Sequence, residues 1–154
     1  MRSTNTLLRR ATAQQASAVA AEVMANPSNY SAHALEIVAF RPDSVKERPG
    51  DMLAFPWHGN EGSLNGFKSV HGGTLSTLGD IFTQIHVKSA SPQASIRSLS
   101  FEISFLSAVF AGKQCTCITR VVSERDNVVF TDFSFEDEAS GELYARGTHV
   151  FSIQ

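Results

Sequence analysis

Asn65-Gly66-Phe67-Lys68-Ser69-Val70-His71-Gly72-Gly73-Thr74-Leu75-Ser76-Thr77-Leu78-Gly79-Asp80 ends a loop, opens a helix and sets a carboxylate about two turns along it. After Gly73 the apolar residues Leu75, Leu78, Ile81, Phe82 and Ile85 recur at helical spacing. That spacing predicts a helix over roughly 72–89 with the glycines at its start. Three and four positions from Asp80 stand Ser76, Thr77, Thr83 and Gln84, all polar, while the opposite stripe is apolar. One face packs and the other is left for chemistry. The N–H groups of the first turn, near His71, Gly72 and Gly73, lack helical partners and can hold developing negative charge, and glycine lets a ligand approach the main chain. This is an oxyanion hole in outline. The plainer alternative is a surface Asp on an amphipathic helix after a Gly-Gly turn, so the decision falls to the rest of the chain.

At 154 residues, 42% apolar and 18% charged, the chain has the composition of one globular domain with a sizeable core. A net charge of -2 gives no overall attraction to nucleic acid, and no Lys/Arg run exceeds Arg9-Arg10, so an anionic ligand must be held by a local patch. Cys115 and Cys117 project from the same face of a strand without the further Cys/His groups that a zinc site needs, so two buried free thiols are expected, and no metal. No apolar stretch approaches membrane-spanning length, and a soluble protein is expected.

Residues 1–30 differ in composition from the domain expected over 31–154. From Met1 to Ala21 there are Arg2, Arg9 and Arg10, many small polar residues and no acid before Glu22, the pattern of a mitochondrial targeting segment. The alternative is a plain helix over roughly 13–26 in a cytoplasmic protein. Asn26-Pro27-Ser28-Asn29 breaks any helix there, and a strand is expected over Leu35 to Phe40. Met52 to Trp57 reads as a second strand, and His58 to Gly66 as a glycine-rich loop. Arg97 to Phe105 alternates, with Leu99, Phe101, Ile103 and Phe105 on one side and Ser98, Ser100, Glu102 and Ser104 on the other. Further strands are expected over Gln114 to Ser123, Val128 to Glu136 and Leu143 to Ile153, giving four meandering strands after the helix. Such a sheet can bury the helix stripe in its concave face. Phe101, Phe105, Phe110, Phe130, Phe133, Phe135 and Phe151 are read as mostly core.

A helix wrapped by an antiparallel sheet, opened by Asn-x5-His-Gly-Gly with Asp nine residues after the His, resembles the hotdog-fold acyl-CoA thioesterases of the phenylacetate-type and mammalian branch. The resemblance runs from about Leu35 to Ile153 and is strongest from Asn65 to Asp80. It implies an α+β fold with an antiparallel sheet around one long central helix, plus an extra N-terminal helix. It implies hydrolysis of an acyl-CoA thioester without a cofactor. By position, Asp80 becomes general base or nucleophile, the Gly72 amide polarises the carbonyl, Asn65 positions water or thioester, and His71 supports the loop. Phe105-Leu106-Ser107-Ala108 resembles that branch's aromatic-x-Ser-Pro strand end, and counting back from it makes Ser98 the serine beside the attacking water. Gly73, Phe82 and Lys68 are candidate substrate contacts, and His86 joins Phe82 as a candidate lining of the acyl tunnel. Lys88, Arg97, Lys113, Arg120 and Arg146 are candidates for the coenzyme A phosphates. The family joins two chains so that each site takes Asp from one subunit and the His-Gly loop from the other, and dimers often pair into tetramers. An exposed long strand near 96–106 would suit that pairing.

One departure stands out: the family usually has glycine three residues after the Asn, where this chain has Lys68. Gly79 beside Asp80 costs helix stability of roughly 1 kcal/mol relative to Ala, which close packing would offset. An unperturbed Asp, with a pKa of about 3.9, is a poor base near neutrality, so burial of Asp80 would help. His58 and His86 are expected at or near the surface, and His149, alternating with Gly147 and Phe151, in the core or an interface. Three classes remain: a thioesterase, a non-catalytic acyl-CoA binding module, for which Lys68 argues, and a structural subunit of an assembly.

Overall fold

The computed structural model describes residues 8–154, so Arg2 and the first part of the targeting reading lie outside the described residues. From Leu8 the chain is tied to the body. The Leu8 N–H donates to Glu124 Oε2 at 3.1 Å, the Arg9 N–H to the Ala90 carbonyl at 2.9 Å, and Arg10 Nε pairs with Asp51 at 2.9 Å. Thr12 and Gln15 close a capping box that starts helix α1, Ala13–Met24. Its buried Ala16 and Ala20 pack toward the long helix below.

The strand expected over Leu35 to Phe40 is a helix instead, α2, Tyr30–Ile37. Asn29 caps it by accepting the Ala32 N–H at 2.7 Å, and Ala32 and Leu35, three apart, bury one face. The β-favouring Ile37-Val38 pair lies at the helix end, where Ala39 turns out of it at φ 52°. Local propensity there suggested a strand; the cap upstream decides otherwise.

Six strands follow in one antiparallel sheet: β1 Lys46–Arg48, β2 Met52–His58, β3 Ile96–Phe105, β4 Gln114–Arg125, β5 Val128–Asp137 and β6 Leu143–Ile153. The spatial order is β1-β2-β4-β5-β6-β3. Thus β4, β5 and β6 meander, but β3 is not part of that meander: it lies at the far edge, paired with β6 alone. Asp126 and Asn127, both at positive φ, make the two-residue turn between β4 and β5. Between β2 and β3 runs helix α3, Gly72–Ala90, which touches β3, β4, β5 and β6 on one side and α1 and α2 on the other. This is the hotdog arrangement, with a helix added at the N-terminus.

Leu75, Leu78, Ile81, Phe82 and Ile85 are buried under the sheet. Phe82 stacks on Phe55 at 4.7 Å between centroids and lies 5.1 Å from Phe40. Phe133, Phe135 and Phe151 are core as expected, and Phe101 is partly buried. Phe105, Phe110 and Phe130 are exposed, because their strand positions face outward or sit where the sheet ends. Gly79 faces the Phe133 ring so closely that a Cβ there would lie 2.7 Å from it. A Cβ on Gly147 would lie 2.5 Å from the other side of that ring. The two glycines set how near α3 comes to the sheet. Cys115 and Cys117 are free and fully buried.

Candidate active site

The first turn of α3 distributes its N–H groups unequally. His71 caps the helix, its Nδ1 accepting from Gly73 N–H at 2.8 Å, while Thr74 and Leu75 donate to the His71 carbonyl. Among the described residues nothing accepts from the Gly72 N–H. Gly73 is thus committed to the cap, and a Cβ on it would lie 2.9 Å from His71 Nδ1. The Phe105 ring lies over Gly72, 3.2 Å from where a Cβ would be.

Asn65 shapes the approach to this turn. Its Oδ1 accepts from the Phe67 N–H at 2.8 Å and the Ser69 N–H at 3.3 Å, and its Nδ2 donates to Ser69 Oγ at 3.0 Å. Lys68 is exposed at φ 59°, the left-handed conformation that glycine favours, so the loop takes the glycine path with a lysine in it.

On α3, Asp80 Oδ1 accepts from Gln84 Nε2 at 2.8 Å and lies 3.7 Å from His149 Nε2. Its Oδ2 has no partner among the described residues, and the side chain is 43% exposed in the single chain. Asp80 is therefore half-buried here, less enclosed than the burial that would favour a base.

Ser98 reaches the same place by a route that strict alternation misses. A bulge between Ser98 and Ser100 swings Leu99 out, so Ser98 opposite Phe151 shares the inner face with Phe101 opposite His149. The expected grouping of Ser98 with Ser100, Glu102 and Ser104 is corrected by that extra residue. Ser98 Oγ lies 2.9 Å from His149 Nε2, and His149 Nδ1 lies 2.7 Å from Thr83 Oγ1. The Thr83 hydroxyl donates to the Gly79 carbonyl at 2.7 Å, so toward His149 it accepts, which puts the ring proton on Nδ1. Nε2 then accepts from Ser98. Burial pushes the His149 pKa down, and the nearby Asp80 raises it by less, so the ring is neutral near pH 7.

The structure thus brings Asp80, Gln84, Ser98, His149 and Thr83 together. It leaves Phe82 in the core, away from any opening. His86, expected near the surface, is buried with Nδ1 2.7 Å from Thr119 Oγ1, and burial lowers its pKa to about 4, a nearby Asp51 opposing. His149 is the participant that sequence reasoning placed in the core without a role. Its alternation with Gly147 and Phe151 pointed inward, but only the β3–β6 register sets it beside Asp80.

Of the candidate phosphate contacts, Lys88 donates to the Ala94 carbonyl at 2.7 Å, Lys113 pairs with Asp137 at 3.6 Å and Arg120 with Asp132. Arg97 and Arg146 are exposed and have no carboxylate partner among the described residues.

Gly72 and Asp80 are eight residues apart on one helix, about 12 Å along its axis. One chain cannot bring both to a single carbonyl. Chemically the arrangement offers an open carboxylate oxygen with a hydroxyl and a neutral imidazole beside it, and separately an unpaired amide at a helix start. No group of three or more potential metal ligands occurs among the described residues.

Comparison with known proteins bears on this layout. A family model described as the thioesterase superfamily matches residues 67–144. A Caenorhabditis elegans protein named as an esterase is 27% identical over 90 residues, 58% of this chain and 53% of its own length, so the match spans about half of that relative. The crystal structure of zebrafish thioesterase superfamily member 2 superposes with a TM-score of 0.76 at 20% identity, covering 92% of this chain and 97% of that one. A Streptococcus pneumoniae hypothetical thioesterase crystallised with coenzyme A gives 0.65 at 19% identity, over 72% and 84%. At such identities the structural likeness speaks for the fold. The family match runs over half of the sequence and takes in His71-Gly72-Gly73, Asp80 and Ser98 together, and on it the chain belongs to the thioesterase superfamily.

Proposed function

We propose that the protein is an acyl-CoA thioesterase working as a dimer or as a tetramer of two such dimers, each site taking Asp80 from one protomer and Gly72 from its partner. The observation that carries this is a pair of open groups on one helix, too far apart to meet at one carbonyl within a chain: the Gly72 N–H at its start without an acceptor, and two turns on Asp80 Oδ2 without a donor. The coenzyme A in the Streptococcus pneumoniae relative supports the same carrier here.

In this reading the thioester carbonyl lies against the partner's Gly72 amide, and a water lies between Asp80 Oδ2 and Ser98 Oγ. Water oxygen bonds to the carbonyl carbon as Asp80 takes its proton, and the negative oxygen is held by the Gly72 N–H. Collapse breaks the carbon–sulfur bond, and the thiolate leaves with the proton held by Asp80, giving free acid and the thiol of coenzyme A. Gln84 donates to Oδ1 and leaves Oδ2 to the water, while the His149 ring holds the Ser98 hydroxyl; Asn65 and His71 hold the loop that presents Gly72. The other route, attack by Asp80 itself to give an anhydride that water then opens at the Asp80 carbonyl carbon, leaves solvent oxygen in Asp80 after a single turnover in heavy-oxygen water. The base route places that oxygen in the acid product.

Two variants test the assignment. Asp80→Asn keeps the acceptor for Gln84 and removes the base, and kcat should fall about 10²- to 10⁴-fold with the melting temperature little changed. Gly72→Pro deletes one N–H at the first helical position, where proline is tolerated, and should cost about 10²- to 10³-fold. Near-normal release of coenzyme A by either variant would remove that residue from the mechanism. A wild-type protein that binds acyl-CoA without releasing coenzyme A would instead be a binding module.

A further inference from the structure

Beside Asp80, on the side away from the sheet, α1 and α3 do not close fully on each other. On α1 the residues Ala16, Val19, Ala20 and Val23 form one stripe at helical spacing. Ala16 and Ala20 are fully buried and draw the two helices together. Val19 and Val23, only partly buried, leave a cavity of about 120 Å³ against Ile81, Gln84 and Ile85 of α3, closed by Ile96 at the start of β3. Lys88 lines the far end with its ammonium turned away onto the Ala94 carbonyl, so its stem adds apolar wall.

Gln84 joins this cavity to the candidate site. It lines the cavity, and its amide donates to Asp80 Oδ1 at 2.8 Å. Asp80 does not itself line the cavity; Gln84, which does, follows it by about one helical turn, roughly 5.4 Å along α3. The wall is five branched aliphatic side chains together with Ser31, Gln84 and the Lys88 stem, with no aromatic ring among them.

From this we infer that the α1–α3 cleft receives the acyl tail and selects a straight alkyl chain over an aryl group. The inference rests on the thioesterase reading above. An enclosed apolar cavity of about 150 Å³ admits benzene; this cleft is smaller and opens to solvent, and at roughly 30 Å³ for a water-sized group it holds about four methylenes. α1 thereby becomes a specificity element: its Val19 and Val23 form the wall that sets how long a chain fits.

The test is kcat/KM for a series of straight-chain acyl-CoAs from acetyl to decanoyl, together with phenylacetyl-CoA, on wild type, Val23→Ala and Val23→Phe. Binding of the same compounds to Asp80→Asn is measured by calorimetry. For wild type, kcat/KM should rise about fourfold for each methylene buried, the equivalent of about 0.8 kcal/mol, then level off, with phenylacetyl below the plateau. Val23→Ala should move the plateau to longer chains, a gain that misfolding cannot imitate, and Val23→Phe should lower the octanoyl-to-acetyl ratio at least tenfold. Superimposable profiles in all three proteins, or a preference for phenylacetyl, would overturn the inference while hydrolysis itself stands. Length-dependent binding to Asp80→Asn with no coenzyme A released by wild type would keep the pocket and remove the catalytic reading.

Discussion

Histidine 86 shows how a single buried side chain makes this fold sensitive to acid. With a pKa near 4 in the native state against an ordinary 6.5, it stays neutral where the unfolded chain takes up a proton. The stability it contributes is whole above pH 6.5 and is lost as pH falls toward 4, about 3 kcal/mol in all. Neutral His149 adds a slope of the same sign. Asp137, held low by the Ser140 amide and then the Tyr144 hydroxyl, adds to the loss only once pH falls into and below the usual carboxylate range. His86→Gln keeps a partner for Thr119, and urea unfolding at pH 7, 5.5 and 4.5 should show a shallower acid loss than wild type. An unchanged slope would assign the loss to other groups. Residues of this kind were the least legible from sequence. Asp80 and Gly72 could be read from helical spacing, but the inward turn of Ser98 depends on one bulged residue, Leu99, that no alternation pattern marks. Likewise His86 and Thr119 meet across 33 positions of chain, a contact that only the packed sheet creates.

At the level of elements, α3 and its glycine start were readable, because their periodicity and capping are local. α2 was not, since its β-favouring end outweighed the Asn29 cap in a local reading. Nor was the place of β3: whether it pairs with β4 or β6 is set by the crossover of the whole sheet over α3. Gly79 connects the helix to this arrangement. Alanine there would gain about 1 kcal/mol of helix propensity. Its Cβ, however, would meet Phe133 at 2.7 Å, and that ring is blocked from behind by β6 at Gly147. Overpacking of this kind costs about 1–3 kcal/mol, so Gly79→Ala should destabilise on balance. A lowered melting temperature, by about 2–4 °C for each kcal/mol, together with reduced turnover from displaced Asp80, is the expected result. A raised melting temperature would mean that the helix has room to move off the sheet.

For the molecule as a whole, the long β3 edge carries exposed Leu99, and Phe105 and Leu106 are exposed at its end, an invitation to pair with a second copy. If each site is shared, Asp80→Asn and Gly72→Pro chains mixed in equal amounts should recover roughly a quarter of wild-type activity. Half of the dimers would be mixed, and each of those would hold one intact site. Sites confined to single chains would give no recovery, and light scattering would report the pairing independently. The two cysteines bear on every such measurement. Burial pushes the Cys115 thiol up to about 12 and holds that of Cys117 well above the usual thiol range, and neither has surface open to solvent. A colorimetric disulfide reagent added to follow coenzyme A should therefore find the native enzyme silent, its sulfurs neither ionised nor within reach. The same reagent left with the protein alone becomes a clock for opening of the core between sheet and helix, counting two equivalents only as the chain comes apart.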